Sequence, residues 1–366
     1  MNKLQTFIFQ INKPSGIVTL ALSLIIVAMV GLYPPSNSIS WDVFGYYLYL
    51  PAVFIYQDLG LKDISIIENI ISTYNNTATL YQASQLPDGN WVMKYPMGMA
   101  VLYAPFFFLS HLFALFLDFP ADGFSAPYHW GLITGSLVYT LIGLCFLRKI
   151  LLEFFSDQIT ALVIVLLVLG TNYFHIVIYN APMPHNYLFT LYTLIIWFTI
   201  KWHKTFQLKY ILWCGLFCGL CILSRPSEIV CLLIPALWTV NDKESFLKKI
   251  NLLWEKRVQI IAFSFLIILI GLPQFIYYKT FTGKFLYLSY NNAGEGMEFL
   301  QPYILQVLFS FRKGWLIYTP MMLFAIIGLF IMIKKRWKNS VALFLFTLFN
   351  IYIVSSWSCW WYADSF

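Results

Sequence analysis

The stretch Gly16-Ile-Val-Thr-Leu-Ala-Leu-Ser-Leu-Ile-Ile-Val-Ala-Met-Val-Gly-Leu-Tyr33 carries no charged residue. As a helix rising about 1.5 Å per residue, it is long enough to cross most of a hydrocarbon layer of ~30 Å. It lacks a small-x-small cleavage pattern and further apolar runs follow it, so it reads as a retained helix rather than a signal peptide. Similar runs recur at Tyr128–Leu147, Ile159–Ile178 and Val258–Tyr278. The chain of 366 residues is 60% hydrophobic and 11% charged, against roughly 25% charged in a soluble domain. These features define an all-α, polytopic transmembrane helical bundle.

Charge distribution orients the bundle. Most of the 23 Lys and Arg residues fall in short links: Lys3 and Lys13, Arg148-Lys149, Lys201 to Lys209, Lys243 to Arg257, and Lys334 to Lys338. The positive-inside rule places these links and the N-terminus in the cytoplasm. About nine crossings result, with no soluble domain and no sequence repeat. The first outer loop covers residues 34–127 and is expected to contain interfacial helices, and another outer loop covers 279–314. The net charge of +7 is thereby a matter of topology, and no nucleic-acid partner is implied. The cysteines lie mostly in apolar runs without zinc-ligand spacing, as small hydrophobes do.

Two segments depart from a plain crossing pattern. Met97–Leu117 is apolar enough to cross, yet crossing would put Arg148 and Lys149 outside, so it is expected to lie in or dip into the outer leaflet. Lys209–Val240 reads as a hairpin with arms of roughly 21 Å. Its tip, Leu-Ser-Arg-Pro-Ser-Glu, would then sit below the outer surface. Arg225 and Glu228 at that depth need a partner or a wet cavity.

Other polar groups gather on the same face. Trp41-Asp-Val-Phe-Gly-Tyr-Tyr-Leu-Tyr-Leu-Pro51 sets one carboxylate, Asp42, in an aromatic run suited to an interface. Asp42 is either an N-terminal helix cap or a working acid, and the two roles are compatible. Lys94 precedes the immersed helix. His185 ends a loop in which Pro182 and Pro184 prevent helix. The segment with Tyr287, Tyr290, Asn291, Asn292, Glu295 and Glu298 leads to Arg312 and Lys313. An outer Arg against the positive-inside trend suits phosphate binding. A carboxylate with several cations suits transfer from a lipid-linked phosphate: the cations neutralise the leaving group and the carboxylate takes an acceptor proton. No Walker, GxSxG or HExxH pattern is present.

Trp41-Asp42 with Gly45-Tyr46-Tyr47, the run Tyr95-Pro96-Met-Gly-Met-Ala-Val-Leu-Tyr103, the Arg148-Lys149 link and the late outer loop occur in an order that resembles the GT-C glycosyltransferases, in the branch of protein O-mannosyltransferases and aminoarabinose transferases. The resemblance implies a polyprenyl-phosphate-sugar donor and a lipid, glycan or protein acceptor among membrane lipids. It also implies an inner-membrane location with a periplasmic active face. Asp42 matches the family's first-loop acid, and the second-loop acidic position falls where this chain has His185. These two are the expected catalytic residues. Tyr46, Tyr47, Lys94, Arg225, Glu228 and Arg312 are the expected substrate and phosphate contacts. Asp42 and His185 are the candidate ligands for a divalent metal, the one cofactor the resemblance implies. Val43 replaces the second acid of the usual pair, and one Asp with one His is a sparse ligand set.

The sequence ends at Ser358-Cys-Trp-Trp-Tyr-Ala-Asp-Ser-Phe366, where relatives of this kind usually continue. A truncated, inactive subunit is therefore an alternative expectation. A flippase of lipid-linked saccharides is another, although polar groups on one face and the lack of a repeat favour an enzyme.

Overall fold

The computed structural model describes residues 12–290 and 294–362. Lys3, Asn291, Asn292 and Asp364 lie outside the described residues. The chain is 68% helical, and among the described residues one two-stranded ladder pairs Ala83–Gln85 with Trp91–Met93. The all-α class is borne out.

In chain order the helices are α1 (Pro14–Leu32), then α2 (Trp41–Tyr47), α3 (Tyr49–Phe54) and α4 (Ile64–Tyr74) in the first loop, followed by strands β1 (Ala83–Gln85) and β2 (Trp91–Met93). Next come α5 (Gly98–Phe116), α6 (Ala126–Leu151), α7 (Asp157–Gly170), α8 (Tyr173–Tyr179), α9 (Pro184–Thr205) and α10 (Leu208–Ser224). After a 3₁₀ turn over Pro226–Leu232 follow α11 (Leu233–Leu237), α12 (Lys243–Glu255) and α13 (Arg257–Thr282). The last are α14 (Ile304–Phe309), α15 (Trp315–Tyr318), α16 (Met322–Lys334) and α17 (Ser340–Ser355).

Among the described residues four helices are long and apolar enough to cross a membrane: α1, α5, α6 and α13. The bent pair α7–α8 adds a fifth if it is one span. Its 59° bend falls within Ile159–Ile178, expected as one crossing. There the Thr171 hydroxyl bonds back to the Leu167 carbonyl, and Thr171 itself is extended. The remaining expected crossings fall on α9, which has 22 residues but more polar groups, and on shorter apolar helices. The hairpin is also asymmetric. Its first arm, α10, has 17 residues, whereas Pro226 and Pro235 break the return into a 3₁₀ turn and the five residues of α11.

Side-chain bonds fix which helix ends lie together. Ser15, at the start of α1, donates from its amide and hydroxyl to Asp157 at 3.0 and 2.6 Å, and Arg148 Nε donates to the same hydroxyl at 2.8 Å. Beyond the other end of α1, the Ser38 amide donates to His129 Nδ1 at 2.9 Å. Helices α1 and α6 therefore run antiparallel, with the basic end of α6 beside the start of the chain. Helix α5 lies along the opposite half of α6. Tyr139 bonds the Leu102 carbonyl, Gly135 meets Phe106, and Gly131 meets Ser110.

Both ends of α5 are tied to the first loop. The Lys94 amide bonds the Gln82 carbonyl just before it, and Tyr47, Tyr56 and Tyr74 bond Gly123 and Asp122 just after it. The run from Val43 to Ala52, expected at a lipid interface, is buried throughout, with Asp42 half-buried just before it. Its aromatic side chains pack on Tyr103, Phe107 and Phe124 rather than lying on a surface.

Candidate active site

Asp42 is not a cap. The N-cap residue of α2 is Ser40, and no side chain caps that end. The Asp42 carboxylate instead accepts two phenol hydroxyls on one oxygen, Oδ1, from Tyr81 and Tyr95, each at 2.6 Å. Such charge-assisted bonds are roughly twice as strong as neutral ones. Both phenols bond Oδ1, which leaves Oδ2 for a third group.

The backbone is shaped to allow this. Trp41 sits in the left-handed region at φ 51°, a conformation costly for a side chain of this size. It is held there by its amide bond to the Asn76 carbonyl and by Gln82 donating to its own carbonyl. Gly45 lies one turn on, and a Cβ there would fall 2.7 Å from both Gln82 and Tyr95. Only glycine lets α2 press against the segment that supplies the two phenols.

Lys94 adjoins this pair. It is buried, pairs with Glu295 at 2.6 Å, and stands over the rings of Tyr81, Tyr95 and Tyr290 at 5.6, 5.7 and 5.1 Å. Tyr46 stacks on Tyr95 with centroids 4.3 Å apart. Burial, with the Asp42 charge added, keeps the Tyr81 and Tyr95 phenols well above their ordinary range, so both stay protonated as donors.

The hairpin tip reaches the same place through a second close approach. A Cβ on Gly98, at the start of α5, would fall on the Ser224 amide nitrogen. The bare glycine brings the end of α10 against the first turn of α5. Arg225 follows at once, and its guanidinium faces the Tyr46 hydroxyl with Tyr290 nearby. Glu228 is close enough to feel Arg225, but its carboxylate accepts from the Tyr192 hydroxyl. His185 also lies beside Arg225, and its buried Nε2 has no hydrogen-bond partner among the described residues. The expected loop end at His185 is different in detail: Pro184 starts α9 and His185 is the second residue of that helix. Proline is tolerated at this position because the first amide has no helical partner.

The structure thus gathers Asp42, Tyr46, Lys94, Arg225 and His185 around one region, with Glu228 at its edge. Two expected contacts are elsewhere. Tyr47 is fully buried with its hydroxyl on the Gly123 carbonyl, and Arg312 is exposed and stacks over Trp361 at 4.1 Å. Tyr81 was missed because nothing in a lone tyrosine 39 positions away signals a bond to Asp42. Glu295 was read only as part of a polar loop. A buried lysine's need for a counter-charge was the signal that could have found it.

Among the described residues no three His, Cys, Asp or Glu side chains stand together to hold a metal. His185 lies beside the Arg225 cation, and Asp42 Oδ1 is already occupied by phenols beneath Lys94. This donor set does not fit a divalent ion shared by Asp42 and His185.

Residues 112–269 match the family described as dolichyl-phosphate-mannose-protein mannosyltransferase. No curated protein and no solved structure matches the chain. The match covers just under half of the chain and takes in His185, Arg225 and Glu228, while Asp42 lies before it. It bears out the resemblance to GT-C membrane glycosyltransferases, and with it a lipid-linked sugar donor and an acceptor in general terms.

Proposed function

We propose that this chain transfers a sugar from a polyprenyl-phosphate donor to an acceptor hydroxyl on the periplasmic face of a bacterial inner membrane. The observation that carries this reading is the Asp42 carboxylate, fixed by Tyr81 and Tyr95 beside two cations, Lys94 and Arg225. The acceptor would be a lipid, a glycan or a protein.

In this reading Oδ2 of Asp42 accepts the proton of the acceptor hydroxyl as its oxygen bonds the anomeric carbon of the donor sugar. The bond from that carbon to the phosphate oxygen breaks, and the polyprenyl phosphate leaves with the bonding electrons. Arg225 neutralises the growing charge on the phosphate. The two phenols hold the carboxylate in place and release it for the proton without reorganisation. Lys94 is engaged by Glu295, so it contributes field to the region while Arg225, facing the Tyr46 phenol, meets the donor. His185 presents its buried Nε2 to the sugar or phosphate.

The same helix-end bonds support the proposed orientation. The basic Arg148 end of α6 meets the start of α1, which the charge rule assigns to the cytoplasm. Asp42 follows the opposite end of α1. Because both ends of α5 are bonded to one loop, α5 is a helix immersed from the outer side in this reading, and Arg148 keeps its cytoplasmic position.

The test is sugar transfer in membranes supplied with a polyprenyl-phosphate sugar. Asp42→Asn is expected to abolish transfer at normal protein abundance. Transfer near the wild-type rate in that variant removes the proposed base.

A further inference from the structure

The first loop holds a cleft of about 300 Å³ that the site above does not use, lined by Ile64, Glu68, Ile71, Ser72, Thr79, Leu80 and Trp91 among others. This volume is at the small end of ligand pockets, roughly 300–1,000 Å³. Ile64, Glu68, Ile71 and Ser72 repeat at helical spacing and form one face of α4. Trp91 is held opposite by the β1–β2 ladder and by its amide bond to the Gly60 carbonyl. The next residue after Leu80 is Tyr81, whose hydroxyl bonds Asp42. One lining residue of the cleft is thus the chain neighbour of a phenol that holds Asp42.

We propose that this cleft binds one saccharide unit of a glycan acceptor whose reacting hydroxyl lies at Asp42. The inference rests on the reading of Asp42 as the acceptor base. A sugar ring has an apolar C–H face and a hydroxyl edge. Here the flat Trp91 indole meets the first need, while the Glu68 carboxylate and the Thr79 hydroxyl meet the second, and the Ser72 hydroxyl, which donates to the Asn69 carbonyl, can still accept. Glu68 argues against a phosphate or another anion in the same place, and a carboxylate with two hydroxyls is a poor lining for an acyl chain. A glycan spanning the cleft and Asp42 would be oriented by its distal unit, which is how binding away from the reacting atoms serves transfer.

The test uses the full-length protein in detergent with mannobiose, chitobiose and maltotriose as probes, read by saturation-transfer NMR and titration. At least one probe should bind, and Glu68→Gln and Trp91→Ala should each weaken it roughly tenfold, about 1.4 kcal/mol. Trp91→Phe should restore most of the binding, which separates loss of the aromatic face from loss of the fold. Asp157→Asn, at the opposite end of the bundle, should leave saccharide binding unchanged. Failure of all three probes to bind overturns the proposal, as does binding indifferent to Glu68→Gln and Trp91→Ala. Asp42-dependent transfer to a peptide or simple lipid hydroxyl, with no saccharide bound, would overturn this inference and leave the transferase reading standing.

Discussion

The two ends of the bundle both carry buried or half-buried polar groups, but they use them differently. At the end where α1 starts, the groups satisfy one another. Asp157 takes two bonds from Ser15, Arg148 bonds the same serine, and Glu153 pairs with Lys201 and Lys204. At the other end the groups are fixed but not used up. Asp42 keeps an oxygen beyond its two phenols, His185 Nε2 is buried without a partner among the described residues, and Arg225 faces a neutral phenol. A closed network is structural, whereas a rigid set of groups with capacity left over is prepared for a ligand.

This contrast can be broken by substitution. The largest effect outside Asp42 is expected at Gly98, where a methyl group would strike the backbone of Ser224. Gly98→Ala should separate Arg225 from Tyr46 and lower transfer at least about 100-fold, a displacement effect of the size that ~1 Å can produce. Normal transfer by purified Gly98→Ala would show that the close approach is incidental. Arg225→Met should cost roughly 100-fold in transfer, about the value of one aimed charge-stabilising group, while its melting temperature stays near wild type. Tyr95→Phe should cost roughly tenfold, because Tyr81 still holds Oδ1 and one charged hydrogen bond is worth about 1.5–3 kcal/mol. Kinetics of Tyr81→Phe, Tyr95→Phe and the double variant would reveal whether the two phenols act on one carboxylate, by non-additivity.

At the opposite end, Asp157→Asn should leave transfer within about threefold of wild type but lower stability by about 1–2 kcal/mol, since it weakens half-exposed bonds. The smallest effect concerns Lys249 on α12, buried against Trp202, His203 and the Pro235 carbonyl. Burial pushes its ammonium down to about 8. Above that pH the folded protein releases a proton that the unfolded chain still binds up to its usual ~10.4, so stability should rise between about pH 8 and 10. Lys249→Met should flatten that rise in a thermal-melt series.

Much of this was legible in the sequence, for reasons that differ by residue. The bundle was legible because uncharged runs and basic links follow directly from the cost of burying charge in hydrocarbon. Asp42 was legible because a single acid in an aromatic run is chemically conspicuous, and Arg225 because a hairpin too short to reach the surface leaves its charge at depth. What escaped were relations set by packing. No local pattern reveals that Gly45 and Gly98 are close approaches, or that Tyr81 shares an oxygen with Tyr95. Arg312 and Tyr47 had suitable chemistry, and only the fold shows that one stacks on Trp361 and the other bonds Gly123. The reading of Asp42 as a cap failed because Ser40 takes the cap position and the two phenols outcompete backbone amides for the carboxylate.

The most direct measurement compares two acids in one experiment. Asp42→Asn and Asp157→Asn, reconstituted at equal amounts in proteoliposomes with a polyprenyl-phosphate sugar, should differ sharply. Transfer should fall by about 100-fold or more in the first, as loss of a general base requires, and stay within about threefold in the second. Equal losses in the two variants, or near-normal transfer by Asp42→Asn, would contradict the assignment of the open carboxylate as the catalytic base.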